Sequence, residues 1–334
     1  MNVNSRQHYL KKLVFLPLLM LTACSITPEQ PDYAALISAE QQRVEKWQNF
    51  PQQTDVAYLN DLIDTDMFDR LLQTAMKSNP SLQQTLLTLQ IRQSQLTQAA
   101  AEKRPFISSG FSALNSSDSD ASFGADLSVS WQADLWGKLA DNERAAELDI
   151  TEQNLLYQSA RDTLAAEVMQ VWLTLIAQQR AINIEQQRND SLQQTESFIL
   201  QRYRQGLGTL EDLDLARSAV ATSSASVESL TENYRQQSIQ LKTLIGQVDN
   251  PQFTLPINYP EVAIPEIDLP QQSLNRRPDL LAAYAAIQAA SARTEVAYKD
   301  LLPSLNLQAV LEDVSSSPRA SLFTSPVWSL LGQL

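Results

Sequence analysis

The chain contains very few of the residues on which most catalytic and metal sites depend. Its 334 residues include one histidine, His8, and one cysteine, Cys24. Zinc sites and nucleophiles activated by histidine therefore lack their usual ligands and bases. We find no spaced pair of carboxylates in an apolar setting. These absences argue against an enzyme and against a bound metal or cofactor.

Glycine is also scarce, with 7 residues in the whole chain. This scarcity, together with frequent Gln, Ala, Leu and Ser, favours helix over sheet. The formal net charge is −13, and no basic patch is visible in the sequence. The chain therefore does not have the composition of a nucleic-acid-binding protein, and its acidity is more typical of a soluble, self-repelling surface.

One stretch is far longer than an ordinary globular helix. Residues 138–205 contain neither glycine nor proline. A helix of that length would measure roughly 100 Å at about 1.5 Å per residue, which indicates a coiled coil or a membrane span. Charged residues interrupt it too often for a membrane span, among them Arg161, Asp162, Glu167, Arg180, Glu185 and Arg188. The stretch therefore predicts a coiled coil.

A glycine-bearing turn follows, and the chain then returns as a second helix. Gly206 can supply the left-handed residue that ends a helix, and Thr209 with Asp212 fits a capping box for the next one. The returning helix has an apolar residue every seven positions, namely Leu213, Val220, Val227, Tyr234 and Leu241. A second seam is mostly small or polar and runs through Leu210, Arg217, Ser224, Thr231, Ser238 and Ile245. Residues 138–246 thus predict an antiparallel hairpin that packs laterally in an assembly.

The first 24 residues predict secretion and lipid attachment. Arg6, Lys11 and Lys12 precede a short apolar run, residues 13–21, as in a signal peptide. The sequence Leu21-Thr22-Ala23-Cys24 resembles the bacterial lipobox, which implies cleavage after residue 23 and attachment of diacylglycerol and palmitate to Cys24. Residue 25 is Ser rather than the Asp typical of inner-membrane retention, which implies the outer membrane. An ordinary signal peptide with an incidental cysteine is the alternative.

The segment before the long hairpin predicts short helices and then strands. Residues 24–79 should be an extended lead-in with a helix near 34–50 and a second helix over 64–77, capped by Asp64 or Thr65. Residues 105–135 predict a β-hairpin, because Phe123, Leu127 and Trp131 belong to an apolar set that alternates with polar residues. Strands of this length and pattern suit a transmembrane barrel, and a soluble antiparallel sheet is the alternative.

The chain contains an internal repeat. Pro80 and Pro105 bound a helix before the first strand, and Pro278 and Pro303 do the same later in the chain. We therefore predict a first repeat over 80–247, a proline-rich crossover over 248–277, and an incomplete second repeat over 278–334. In the second repeat we expect a helix over 278–302 and strands from residue 303.

Four stretches together resemble the TolC-like outer-membrane efflux proteins, in particular the lipidated NodT-type channel subunits of resistance-nodulation-division pumps. They are residues 21–24 (LTAC), 131–138 (WQADLWGK), 202–207 (RYRQGL) with Asp212 and Ala216-Arg217, and 276–280 (RRPDL). The family's chains continue past the point that matches Leu334, so the resemblance implies a C-terminally truncated chain. It implies a mainly α fold with membrane β, in which long coiled-coil hairpins join strands of a trimeric transmembrane β-barrel.

The resemblance also implies a function and a set of site residues. The expected protein is a homotrimeric outer-membrane duct for the passive export of small molecules and drugs from the periplasm. It would contact a periplasmic adaptor and, through the adaptor, an inner-membrane pump. Gly206, Leu207 and Thr209 match the tip that meets the adaptor, and Asp212 matches an acidic gate residue, although a helix cap is its simpler role. The alternative function is a periplasmic adaptor or a coiled-coil lipoprotein without a pore.

Overall fold

The computed structural model describes residues 65–116, 119–247, 276–317 and 326–333, together with residues 35, 36, 39, 63, 255, 256, 259, 260 and 323. The predicted signal peptide, Cys24 and most of the predicted crossover lie outside these residues. So does most of the helix predicted near 34–50, of which Ala35, Leu36 and Ala39 are described and helical.

Five helices and four strands make up the described ranges. They are α1 (Asp66–Ser78), α2 (Pro80–Glu102), β1 (Phe106–Ser116), β2 (Ser119–Ala133), α3 (Lys138–Arg204), α4 (Leu210–Leu244), α5 (Pro278–Lys299), β3 (Leu305–Ser315) and β4 (Val327–Gln333). Among these helices, none has a segment both long enough and apolar enough to cross a bilayer.

The long helical hairpin is confirmed as α3 and α4, and the β-hairpin is confirmed as β1 and β2. The prediction of a helix over 278–302 was wrong at its end, because α5 stops at Lys299. Residues 300–302 form turns instead, with Leu301 donating its amide to the Tyr298 carbonyl over 3.2 Å. Pro303 accounts for the absence of helix at Leu302, the predicted last residue, since a proline disfavours helical conformation in the residue before it.

The chain divides into two compact units, and the first contains the sheet. This unit comprises Met1–Arg43, Ile91–Glu152 and Ala282–Leu334. The four strands are antiparallel in the order β1-β2-β3-β4. Phe106 faces Ser130 across β1 and β2, and Ala133 faces Leu305 across β2 and β3. The strand that opens the second repeat therefore pairs directly with the second strand of the first repeat.

The register places the predicted apolar residues of β2 on one face of the sheet. Val129 lies between Ile107 and Ala309, and Trp131 lies beside Leu307. The opposite face is mainly polar, and there the Ser108 and Ser128 hydroxyls are 2.6 Å apart, although Phe106 and Val310 also lie on it. In β3, Asp313 is buried and faces Ala125 in the apolar row. The alternation predicted for β2 itself is confirmed.

The second unit comprises Val44–Gln90 and Gln153–Leu281 and holds the apolar core of the described chain. At its centre the rings of Phe68 and Trp172 lie 5.3 Å apart at 41°. The buried cluster around them draws on α1, α2, α3 and the end of α4, and consists of Ile63, Phe68, Leu72, Ala75, Leu82, Leu164, Ala165, Val168, Met169, Val171, Trp172, Leu175, Ile176, Leu241 and Ile245. This core fixes the base of the long hairpin.

Local hydrogen bonds set the ends of the helices around this core. Thr65 is the N-cap of α1, as one of the two predicted caps, and its hydroxyl accepts from the Phe68 amide over 3.4 Å. Asn79, which is buried, accepts from the Leu82 amide and donates to the Leu244 carbonyl, both over 2.9 Å. One side chain thereby joins the start of α2 to the end of α4.

Candidate functional site

The tip of the long hairpin is a tight, internally bonded turn. α3 ends at Arg204, and Gly206 then adopts φ +74°, a left-handed conformation that costs glycine little. The Gly206 amide donates to the Tyr203 carbonyl over 3.0 Å, and the Leu207 amide donates to the Arg202 carbonyl over 2.9 Å. These bonds satisfy carbonyls that the end of α3 would otherwise leave without a partner.

The second half of the tip is a complete capping box. The Thr209 hydroxyl accepts from the Asp212 amide over 3.1 Å, while the Asp212 carboxylate accepts from the Thr209 amide over 3.2 Å and from its hydroxyl over 2.6 Å. These bonds from Thr209, first the hydroxyl and then the amide, hold the pKa of Asp212 below its ordinary value, with a smaller contribution from Arg202. The predicted capping role of Asp212 is confirmed.

The braced turn presents an apolar surface next to Arg202. Leu207 is 65% exposed, and Tyr203 and Leu210 are exposed beside it. The Arg202 guanidinium donates to the Leu207 carbonyl over 3.1 Å, which ties the end of α3 across the turn. The structure thus brings the predicted tip residues Gly206, Leu207 and Thr209 into one short loop. Their docking role, and the gating role of Asp212, stay predictions.

Polar contacts join the two helices behind the tip. The Ser223 hydroxyl on α4 donates to the Glu185 carboxylate on α3 over 2.7 Å, and Ser223 is 1% exposed. Ser224 bonds Asn189 over 3.3 Å, and the Arg217 guanidinium lies 3.5 Å from the Glu196 carboxylate. The seven-residue pattern placed Ser224 in the seam and missed Ser223.

The drift of an α-helix against a seven-residue repeat explains this miss. A straight helix turns about 20° per heptad relative to the repeat, so the inward-facing position moves along the sequence. Leu213 and Leu241 at the two ends of the predicted seam are buried, whereas Val220, Val227 and Tyr234 are half-buried. Partial burial also raises the pKa of Tyr234.

In the first unit, Trp136 and Asp134 anchor the start of α3 beside the sheet. The Asp134 carboxylate accepts from the Leu139 amide over 3.1 Å and from the Ala140 amide over 3.0 Å, which caps the helix. The Trp136 indole donates to the Pro303 carbonyl over 2.8 Å. Residues 131–138, quoted above as a family motif, therefore form the join between β2 and the long helix.

The Arg-Arg-Pro-Asp motif at the start of α5 forms a local ion pair. The Arg277 guanidinium contacts the Asp279 carboxylate through two bonds, of 3.1 Å and 2.6 Å. Hydrogen bonding to Arg277 lowers the pKa of Asp279, and the same pair raises the pKa of Arg277. A bidentate pair of this kind fixes the geometry around Pro278, at the point where the helix begins.

We find no metal site and no catalytic constellation to report in the described ranges. No group of three or more His, Cys, Asp or Glu side chains there is placed to hold a metal ion. Cys24, the predicted lipid-attachment residue, lies outside these ranges. The hairpin tip and the amphipathic sheet are therefore the candidate functional surfaces.

Comparison with known families agrees with this choice. The family model described as outer membrane efflux protein matches residues 71–247, which run from α1 to just past the end of α4. A pyoverdine export outer membrane protein of Pseudomonas putida, OpmQ, is 30% identical over 240 residues, which cover 70% of this chain and 51% of the relative. Outer membrane protein OprJ of Pseudomonas aeruginosa is 26% identical over 340 residues, covering 95% of this chain and 69% of OprJ.

A solved structure shows the same fold. The Campylobacter jejuni CmeC outer membrane channel superposes with a TM-score of 0.72 at 18% sequence identity, covering 85% of this chain and 64% of CmeC. The chain spans about half the length of the pyoverdine-export relatives that it matches, at 51% and 50%.

Proposed function

Because the chain belongs to the outer membrane efflux protein family, we propose that it is a channel subunit of a tripartite efflux pump. The relatives are named outer-membrane proteins, and the outer membrane is where this chain resides. In the proposal, the subunit is a passive duct through which small molecules and drugs leave the periplasm, and the energy is supplied elsewhere. No catalytic step and no nucleic acid is involved.

One observation carries this proposal. An uninterrupted helix of 67 residues, α3, is separated from an amphipathic strand by four residues and ends at an internally braced turn. A strand with one apolar and one polar face suits the wall of a membrane barrel. A coiled-coil hairpin suits the wall of an aqueous conduit, because its polar residues can face water on one side.

We propose a homotrimer as the working assembly. Within the described residues β1 and β4 are the outer strands of the sheet, and each has one edge without a partner strand. Exposed strand edges are strongly unfavourable in lipid, where no water satisfies the backbone. Three copies that share one closed barrel would pair these edges, and outer-membrane lipid would cover the apolar face.

Two further parts of the proposal concern lipid attachment and docking. Cys24, carrying diacylglycerol and palmitate, would anchor the chain in outer-membrane lipid, because two or more acyl chains give stable attachment. At the hairpin tip, Gly206, Leu207 and Thr209 would dock on a periplasmic adaptor that is itself bound to an inner-membrane pump. For Asp212 to act as a gate, its carboxylate would have to give up its hydrogen bonds from Thr209 and form new ones with a neighbouring helix.

The assembly is tested first on isolated outer membranes. We expect the protein to migrate as a detergent-resistant trimer that dissociates on heating. The alternative, an adaptor or coiled-coil lipoprotein without a pore, predicts a monomer in the soluble periplasm, and that result would reject the channel.

Docking is tested by filling the open space at the tip. Nothing lies within 4 Å of a Cβ placed on Gly206, so the new side chain of Gly206→Trp starts in open space, and the φ of +74° adds strain of about 1–2 kcal/mol. We expect it to abolish export of a fluorescent dye while leaving the outer-membrane level unchanged. Glu228→Trp, at an exposed charged position further along α4, is the control and should export normally. Normal export by Gly206→Trp would reject the tip as the docking surface.

A further inference from the structure

Several basic residues lie where the ends of the strands meet the helices, and most of them already form ion pairs. Lys103 bonds Glu143, Lys138 bonds Asp300, and Lys299 bonds Asp141. The bond to Glu143, the largest cause, raises the pKa of Lys103. These lysines are therefore committed to carboxylates of the same unit.

Arg104 differs from these lysines. It lies two residues after the end of α2, its side chain is exposed, and the described residues provide it with no carboxylate or other side-chain partner. Its backbone amide donates to the Ala101 carbonyl over 2.9 Å, so its place in the chain is fixed while its guanidinium stays available. An arginine fork without a protein partner suits a planar or tetrahedral oxyanion, above all phosphate.

Apolar residues also lie near Arg104, beyond the paired Lys103. Ile107 of β1 is 64% exposed and lies beside Val129 on the apolar face of the sheet, which Trp131 shares. The Trp131 indole donates to the Lys103 carbonyl over 3.0 Å, so its ring lies beside the residue that precedes Arg104. Exposed apolar residues, a tryptophan and a cation in one place are typical of the level at which a protein passes through lipid headgroups.

We propose that Arg104 binds the phosphate of a membrane phospholipid whose acyl chains lie along the exposed Ile107 and Trp131, which share the apolar face of the sheet. The inference rests on the proposed membrane placement of the sheet. It goes beyond that placement because it assigns one phospholipid to one residue. Free phosphate would share the charge contact, but it would leave the apolar neighbours exposed to water, so the lipid is the better match.

The test uses the full chain, purified in a phosphate-free sugar detergent, stripped of lipid and titrated with a phosphatidylglycerol. Native mass spectrometry reports lipid bound per chain. Arg104→Gln should weaken lipid binding about tenfold, the factor that corresponds to one charge-assisted contact. Arg104→Lys should lose less, because it keeps the charge. Arg144→Gln is the matched control, since Arg144 is also exposed and has no side-chain partner in the described residues.

Two outcomes would overturn the proposal. Equal lipid binding by Arg104→Gln and Arg144→Gln would show that Arg104 makes no specific contact. Displacement of the lipid by inorganic phosphate at a concentration comparable to that of the lipid would show that the site recognises phosphate alone. Arg104→Gln removes no internal contact, and Arg104→Lys supplies a second variant if glutamine reduces the yield. Failure of the channel proposal would appear separately, as absent trimers in the unmodified protein.

Discussion

The two ends of the long hairpin are held together in different ways. At its base, α3 buries Leu164, Val168, Trp172 and Leu175 against α1, α2 and the end of α4. In its distal part, which we define as residues 183–230, the buried side chains are Leu213 and Ser223. The contacts between the helices there are mainly polar, including the bond between Ser223 and Glu185. The base thus has a core of its own, and the distal part has almost none.

This difference indicates which part depends on neighbours. Helices without a buried apolar face gain little stability from propensity alone. The distal part nevertheless exposes large apolar side chains, among them Ile184, Phe198 and Leu215. We infer that the base can fold within one chain, whereas the distal part is completed by lateral contacts in an assembly.

The largest expected effect is at the centre of the base. Trp172 is 1% exposed and packs on Phe68, so Trp172→Ala leaves a large cavity. We expect a loss of about 3–5 kcal/mol in the free energy of unfolding, measured by denaturant titration. Phe198→Ala removes another aromatic ring, but from a 60% exposed position in the distal part, and should cost less than about 1 kcal/mol in the isolated chain. Similar losses at the two sites would contradict the inference that the base has a core and the distal part has almost none.

Two left-handed glycines give the next contrast. Gly246, just after α4 at the base, has φ +66°, and a Cβ added there would lie 2.0 Å from the Ser78 carbonyl oxygen. Gly246→Ala should therefore cost about 3 kcal/mol or more, from conformational strain and from a backbone collision. Gly206→Ala at the tip meets open space and should cost only the strain, about 1–2 kcal/mol. Thermal unfolding of the two variants would measure the difference.

The local chemistry of these elements could largely be predicted from the sequence. A glycine after a proline-free run indicated the end of α3, and the spacing of Thr209 and Asp212 indicated the capping box. The contacts between distant segments could not be predicted. Asn79 bonds the Leu244 carbonyl across 165 positions, and the collision at Gly246 depends on Ser78. Such pairings follow from three-dimensional packing, which local spacing does not encode.

The polar contacts between α3 and α4 in the distal part should contribute less to the free energy of unfolding. Ser223→Ala removes the hydroxyl that bonds Glu185 and leaves that carboxylate with Arg188, 3.3 Å away. We expect a loss of about 1 kcal/mol, because a hydrogen bond to a charged group is partly offset by the better helix propensity of alanine. Ser226→Ala is the matched control, since that hydroxyl bonds the Thr222 carbonyl in its own helix. Equal stability of the two variants would show that the bond between Ser223 and Glu185 contributes nothing.

The smallest effect is confined to the tip and depends on pH. The pKa of Asp212 lies below its ordinary value because the carboxylate accepts from Thr209, so the stabilisation is present above the unfolded-state pKa, about 3.9. It is lost as the pH falls through the depressed pKa of the folded state. Asp212→Asn should therefore speed hydrogen exchange of the Thr209 amide at neutral pH. The difference from the unmodified chain should disappear in acid below that depressed pKa. No buried core connects the tip to the base, so amide hydrogen exchange at the buried Leu241 in the base should not change. A change at Leu241 would show that the tip and the base are energetically coupled.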